Sequence, residues 1–330
     1  MYIFVTLLTV SQEKCLPLCP NIVKLFNMAL IFDIKRFAIN DGPGIRTTIF
    51  MKGCPLKCVW CHNPEGISDQ PVKLYTQKKC IGCQSCVDVC PQHNLQLTPD
   101  GITEIHQEAC LLCGKCTEEC PTLALQMAGK EWDMADLMEI VEKERKVMED
   151  SGGGVTICGG EPLMHPDYLV ELLSELKSRG IHRTVDTTLF ASHQTVEKVL
   201  PLADLFLVDL KHMDSDKHKR YTHVPNTTIL DNIRLISAAG AHFWIRIPLI
   251  VGVNADDENL RASADFLASL PTPPEVINLL IYHDIGKGKH ERLGTKYNAE
   301  GLVMSPPTEE DQQWALDLFI SRGLNAKIGG

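Results

Sequence analysis

The chain has 330 residues, with 32 Lys and Arg against 42 Asp and Glu, a formal net charge of −10 and 44% hydrophobic residues. That length can bury a substantial core, and the acidic balance argues against nonspecific binding to nucleic acid or to an anionic membrane. Of its 14 cysteines all but Cys15, Cys19 and Cys158 lie between Cys54 and Cys120, which points to metal ligands in a reducing, cytoplasmic compartment and away from a stapled secreted scaffold.

The opening MYIFVTLLTV is apolar, but it lacks a basic flank and is too short to span a bilayer. Residues 1–27 therefore read as an extension outside the folded core, with Cys15 and Cys19 incidental, and Met28 opens a strand-like run. DGPGIR, from Asp41 to Arg46, has the glycines and proline of a turn leading into the first strand, RTTIFMKG. KGCPLKCVWCHNPEG follows, and in it Cys54, Cys58 and Cys61 form a C-x3-C-x2-C trio without a fourth thiol. A closed zinc site takes four ligands and a disulfide takes two, so the trio is incomplete by either count.

Residues 66–130 are polar and contain an internal repeat: Cys80, Cys83, Cys86 and Cys90 before Pro91, then Cys110, Cys113, Cys116 and Cys120 before Pro121. Both copies read C-x2-C-x2-C-x3-C-P, the bacterial ferredoxin run, in which the fourth cysteine serves the other four-iron cluster. The implied sets are Cys80, Cys83, Cys86 with Cys120, and Cys110, Cys113, Cys116 with Cys90; paired zinc knuckles explain this spacing less well. The same chemistry bears on the trio, because a four-iron cluster held by three thiolates leaves one iron open to another ligand.

Past the insertion, Met134, Leu137, Met138 and Val141 form an apolar helical stripe, and SGGG at Ser151–Gly154 reads as a flexible turn without a phosphate-loop lysine. VTICGG, TVDTT, LFLVDL, FWIRIPLI and VINLLIY then alternate with helical stretches. One of these carries Leu169, Leu172, Leu173 and Leu176, another is capped by Ser192, and TEEDQQWALDLFISRG closes the series. With RTTIFMKG these make six βα units. The expectation is an α/β fold: a partial (β/α)6 TIM-like barrel with an inserted bacterial ferredoxin-like domain, chemistry lying at the C-terminal strand ends. Residues 28–65 and 131–330 form the core, and 66–130 the insertion. Asp186, Asp209, Lys211, Arg246 and His283 fall at those strand ends; alone, each is an ordinary polar cap. Cys158 reads as a packing thiol.

The trio after the first strand and Gly159, Gly160 and Glu161 of CGGEP after the second resemble the radical S-adenosylmethionine superfamily. DGPGIRTTIFMKGCPLKCVWCHNPE, VDTTLF, VDLKHM, WIRIPLIVGVN and LLIYHDIGKGKHERLG, in that order, resemble its glycyl-radical enzyme activating enzymes over nearly all of residues 30–330. The resemblance implies three 4Fe-4S clusters, with S-adenosylmethionine on the open iron of the cluster held by Cys54, Cys58 and Cys61. It implies that Gly159, Gly160 and Glu161 meet the cofactor's amino group, and that Asp186, Asp209, Lys211, Arg246 and His283 complete its site. It further implies a monovalent cation at Asp186, Thr187 and Asp209, and partner docking at Asp41, Gly42, Pro43, Gly44 and Arg46.

The implied activity is reductive cleavage of the sulfonium, followed by removal of a hydrogen from a glycine of a partner glycyl-radical enzyme. The implied partner is a dehydratase, decarboxylase, C–N lyase or pyruvate formate-lyase-like enzyme, and a flavodoxin or ferredoxin-type protein is the electron donor. A monomer is expected when free, without nucleic acid or membrane. Two other readings stand beside this one. A radical enzyme acting directly on a small molecule needs no DGPGIR segment, and a ferredoxin-type electron-transfer protein leaves the trio and the βα units unexplained.

Overall fold

The computed structural model describes residues 29–104 and 109–330; the expected extension with Cys15 and Cys19 lies outside them. β1 (Leu30–Ala38) runs antiparallel to β2 (Arg46–Met51). The cysteine-dense segment contributes β3 (Val72–Tyr75), a hairpin of β4 (Leu95–Thr98) and β5 (Gly101–Glu104), and β6 (Leu125–Ala128), which pairs with β3. β7 (Lys130–Glu131) returns the chain to β1. After it come β8 (Gly154–Gly159), β9 (Arg183–Thr187), β10 (Leu205–Asp209), β11 (Phe243–Leu249), β12 (Val276–Ile281) and β13 (Ala326–Ile328), alternating with helices.

Nine strands form one sheet in the order β13-β12-β11-β10-β9-β8-β2-β1-β7, so this is a mixed α/β fold with β13 and β7 at the edges. The six strands from β2 to β12 that were expected from sequence are parallel and adjacent in chain order. β7 and β13 were not expected. They are two and three residues long, too short for alternation to register.

Side-chain parity divides the sheet. Ile49, Val155, Ile157, Val185, Val208, Ile245 and Ile277 face helices in one large apolar core. Among those helices, Pro166–Ser178 buries Leu169, Leu172, Leu173 and Leu176, each contributing roughly 1.5–3 kcal/mol. Met134–Lys143 buries Leu137, Met138 and Val141. Ser192 accepts from the Thr195 N–H as the expected cap. Among the described residues no helix is long and apolar enough to cross a membrane.

The opposite face is polar, and DGPGIR folds against it. Thr48 Oγ1 donates to Asp41 Oδ2 at 2.7 Å, and Thr156 Oγ1 to the Asp41 carbonyl at 2.6 Å. Arg46 is only 1% exposed. Its guanidinium donates to Thr156 Oγ1 at 2.6 Å, the Val155 carbonyl at 2.8 Å and Thr184 Oγ1 at 2.9 Å. Burial lowers its pKa to about 10, partly opposed by Asp41. Arg46 therefore braces DGPGIR from beneath, a role that follows from its place at the inward parity of β2.

SGGG also departs from expectation. A Cβ on Gly153 would lie 1.9 Å from the Ile45 carbonyl oxygen, and one on Gly44 would lie 2.4 Å from Gly153 N. Ser151 Oγ meanwhile accepts from the Ile45 N–H at 2.9 Å. These glycines are a tight backbone contact between two segments, not a flexible turn. Gly153→Ala should lower stability by about 1–3 kcal/mol or more, read as a fall in the urea midpoint without a change in slope.

Candidate active site

β2 delivers Cys54, Cys58 and Cys61 into a loop that is tied down on three sides. Cys54 N–H donates to the Ile67 carbonyl at 3.0 Å, and Lys57 and Val59 N–H donate to the Thr222 and Tyr221 carbonyls at 2.8 and 3.0 Å. Beneath the loop, Gly160 N–H donates to the Met51 carbonyl and Glu161 N–H to the Gly53 carbonyl, both at 2.7 Å. A Cβ on Gly159 would lie 2.4 Å from Met51 N, and one on Gly160 2.1 Å from Gly53 O. The two glycines are needed because backbone packs on backbone there.

Glu161 is fully buried. It accepts from Thr187 Oγ1 at 2.6 Å, from Thr188 N at 2.8 Å and Oγ1 at 2.5 Å, and from Leu163 N at 3.1 Å. Burial raises its pKa, while these donors pull it down. The carboxylate binds the end of β9 to the glycine turn and does not line the cavity above, whereas Gly159 and Gly160 do. Glu161 thus ties the end of β9 to the glycine turn from directly beneath the cavity floor.

That cavity, about 540 Å³, is lined by the three thiol residues, Gly159, Gly160, Asp209, Lys211, Arg246 and His283. Its size falls in the range of small-molecule sites, roughly 300–1,000 Å³. Burial pushes all three thiols up, Cys61 to about 12. Alone they stay protonated, and a metal would take the proton's place. Among the described residues no three His, Cys, Asp or Glu side chains converge on a single metal ion. Four-iron clusters instead bind each thiolate to a separate iron, so three half-buried soft donors facing one cavity suit that group.

Asp209 pairs in register with Arg246. Arg246 Nε donates to Asp209 Oδ1 at 3.2 Å and its Nη2 to Asp186, while Lys211 Nζ donates to Asp209 Oδ2 at 2.8 Å. Burial raises Asp186 despite Arg246; for Asp209 burial is outweighed by Lys211 and Arg246, which hold it low. Two carboxylates and two cations thus offset one another beneath the cavity. Thr187 turns away from them, its hydroxyl donating to Glu161. His283 stacks on His62 with ring centroids 4.4 Å apart, and His62 Nε2 donates to the His283 carbonyl at 3.0 Å.

The ferredoxin-type repeat recurs in the backbone. Gly82 and Leu112, Gln84 and Gly114, and His93 and Leu123 all have positive φ, each pair offset by the same 30 positions as Cys80 and Cys110. Cys90, Cys110, Cys113 and Cys116 line one small cavity of about 30 Å³. Cys86 is raised first by burial and next by the neighbouring Cys120. Cys90 thus shares a cavity with the three cysteines of the second run, and Cys120 is a neighbour of Cys86 in the first.

Sequence reasoning missed Asn254, which is fully buried. Its Nδ2 donates to the Lys211 carbonyl at 2.9 Å and the Pro248 carbonyl at 2.6 Å, tying β10's end to β11's. It also missed Lys289, which bonds Asn63 Oδ1 and Glu65 at 2.8 Å and clamps the loop after the trio. Asn254 lay within a quoted motif; its fixed distance from FWIRIPLI was the available signal.

Residues 48–264 match the Radical SAM superfamily. The chain is 44% identical over 304 residues to the trans-4-hydroxy-L-proline dehydratase activating enzyme of Clostridioides difficile, spanning 91% of this chain and 99% of that one. It is 41% identical over 308 residues to the benzylsuccinate synthase activating enzyme of Thauera aromatica, spanning 91% and 92%. The Streptococcus suis protein SuiB, solved bound to precursor peptide SuiA, covers 84% of this chain and 46% of its own at 15% identity and a TM-score of 0.50, a likeness of fold.

The helix Ser215–Thr222, whose last carbonyls hold the trio loop, carries buried His218. Its Nδ1–H donates to the Val224 carbonyl at 2.6 Å, and burial lowers its pKa to about 4. A depressed histidine contributes stability that is fully present above the unfolded value near 6.5 and is lost as pH falls towards 4. Chemical denaturation at pH 7 and pH 5 should show a loss that is smaller in His218→Gln than in the unaltered protein by about 2 kcal/mol.

Proposed function

Because this chain belongs to the radical SAM superfamily, and within it to the glycyl-radical enzyme activating enzymes, we propose that it generates the glycyl radical of a partner enzyme. The observation that carries the reading is the convergence of the open thiol trio, the Gly159–Gly160 backbone and the Asp209–Lys211–Arg246 group on one cavity. A 4Fe-4S cluster and S-adenosylmethionine, when bound there, supply the reductive cleavage that makes hydrogen abstraction possible.

The chain's own groups hold and orient. Cys54, Cys58 and Cys61 would ligate the cluster, and the Gly159–Gly160 backbone would receive the cofactor's ammonium, with the Glu161 charge close behind. Lys211 and Arg246 can donate to its carboxylate or ribose oxygens, and His283 closes the cavity's rim. A monovalent cation at Asp186, Thr187 and Asp209 would require Arg246 to release one carboxylate. The repeated cysteine run, with Cys90 beside Cys110, Cys113 and Cys116, supports a ferredoxin-like insertion at 66–130 holding two more clusters on crossed thiol sets, and six parallel strands around one cavity support a partial barrel. The segment of Asp41, Gly42, Pro43, Gly44 and Arg46 stays a candidate contact for the partner's glycine loop, with Arg46 bracing it through the Pro43 carbonyl. The Clostridioides difficile relative makes a glycyl-radical dehydratase the first partner to test.

Anaerobic reconstitution should load about twelve irons, and Cys58→Ala about eight, with the insertion's clusters intact. The variant should form no 5′-deoxyadenosine. Mixing the reduced protein and S-adenosylmethionine with a glycyl-radical dehydratase should produce a glycyl doublet by electron paramagnetic resonance. Iron at the repeat alone, or cofactor cleavage that never places a radical on any candidate protein, would refute the proposal.

A further inference from the structure

We propose that the groove between the trio loop and the cysteine-dense segment is the docking face for an acidic one-electron donor protein. The inference rests on the metal assignments above and adds where the electron enters. The groove holds about 870 Å³, with Cys58 on one wall and Cys110 on the other, so both the trio and the nearer crossed set reach it. Asp209, Lys211 and Arg246 line only the adjoining cavity, which meets the groove at Cys58, so the groove reaches the trio without passing over the cofactor groups.

Its charge is lopsided. Glu104 is paired with Lys73, and Glu300 faces Arg220 at 3.8 Å. Lys57 and Lys296 line the same groove, are exposed, and have no acidic partner among the described residues. Lys57 lies between Cys54 and Cys58, where its backbone bond to Thr222 fixes the main chain and leaves the ammonium free. On a chain of net charge −10, free cations beside two thiol sets favour an anionic surface coming to those thiols. In the transfer the donor is oxidised by one electron and the metal site reduced by one; no bond forms or breaks.

The test uses the iron-loaded protein and a purified flavodoxin, an acidic flavin protein, with binding read by isothermal titration at low and high salt. Binding should weaken as salt rises. Lys57→Glu with Lys296→Glu should weaken it on the order of tenfold at low salt, while Lys57→Arg with Lys296→Arg retains it. Iron content and dithionite-driven cofactor cleavage should stay at wild-type levels in both. The proposal fails if flavodoxin does not bind, if charge reversal leaves affinity unchanged, or if reversal also abolishes dithionite-driven cleavage. It fails too if reversal instead weakens binding of the glycyl-radical enzyme. Absence of dithionite-driven cleavage in the unaltered protein would strike the activating-enzyme reading, while the binding isotherms would still decide the groove.

Discussion

The site depends on a contact between two stretches of backbone that leaves no space for side chains. Gly159 and Gly160 lie against Met51 and Gly53 so closely that a methyl group at either glycine would overlap main-chain atoms. Two short hydrogen bonds hold the contact, and Glu161 carries it on to Thr187 and Thr188 at the end of β9. The first three parallel strands thereby present their ends in one fixed relation. The trio loop packs Leu56, Val59 and Trp60 inward and takes its position from that relation.

The sheet serves two purposes by parity. One face is apolar and buries the helices, supplying the stability; the other holds Arg46, Thr48, Thr156, Thr184, Asp186, Asp209 and Arg246, whose charges and hydroxyls satisfy one another. Burying so many polar groups is tolerable only because each has a partner. The arrangement makes the polar face specific, since removing one member leaves another unpaired. DGPGIR belongs to this network, with its carboxylate and guanidinium both directed inward.

Much of this was legible in the residues. The six parallel strands announced themselves through apolar runs with helical stripes between them, and the thiol spacing was local enough to read directly. Positions defined by long-range packing were not legible. Arg46 looked like part of a docking segment from family resemblance alone; that its β2 parity buries it could not be seen in the residues. SGGG looked flexible because the Ile45 carbonyl that confines Gly153 lies more than a hundred positions earlier. Glu161 looked like a ligand group from its motif, and three of its four donors, on Thr187 and Thr188, come from the end of another strand.

The sequence by itself determined which groups are present and at what local spacing: the trio, the doubled cysteine run, the glycine pair and the charged residues closing successive strands. Local spacing survives folding because neighbouring residues are joined by a chain of fixed reach. Only the tertiary structure decided which charges neutralise one another, which glycines are forced by contact, and which thiols share a cavity. Those outcomes depend on the register and curvature of a sheet whose neighbouring strands come from distant parts of the chain.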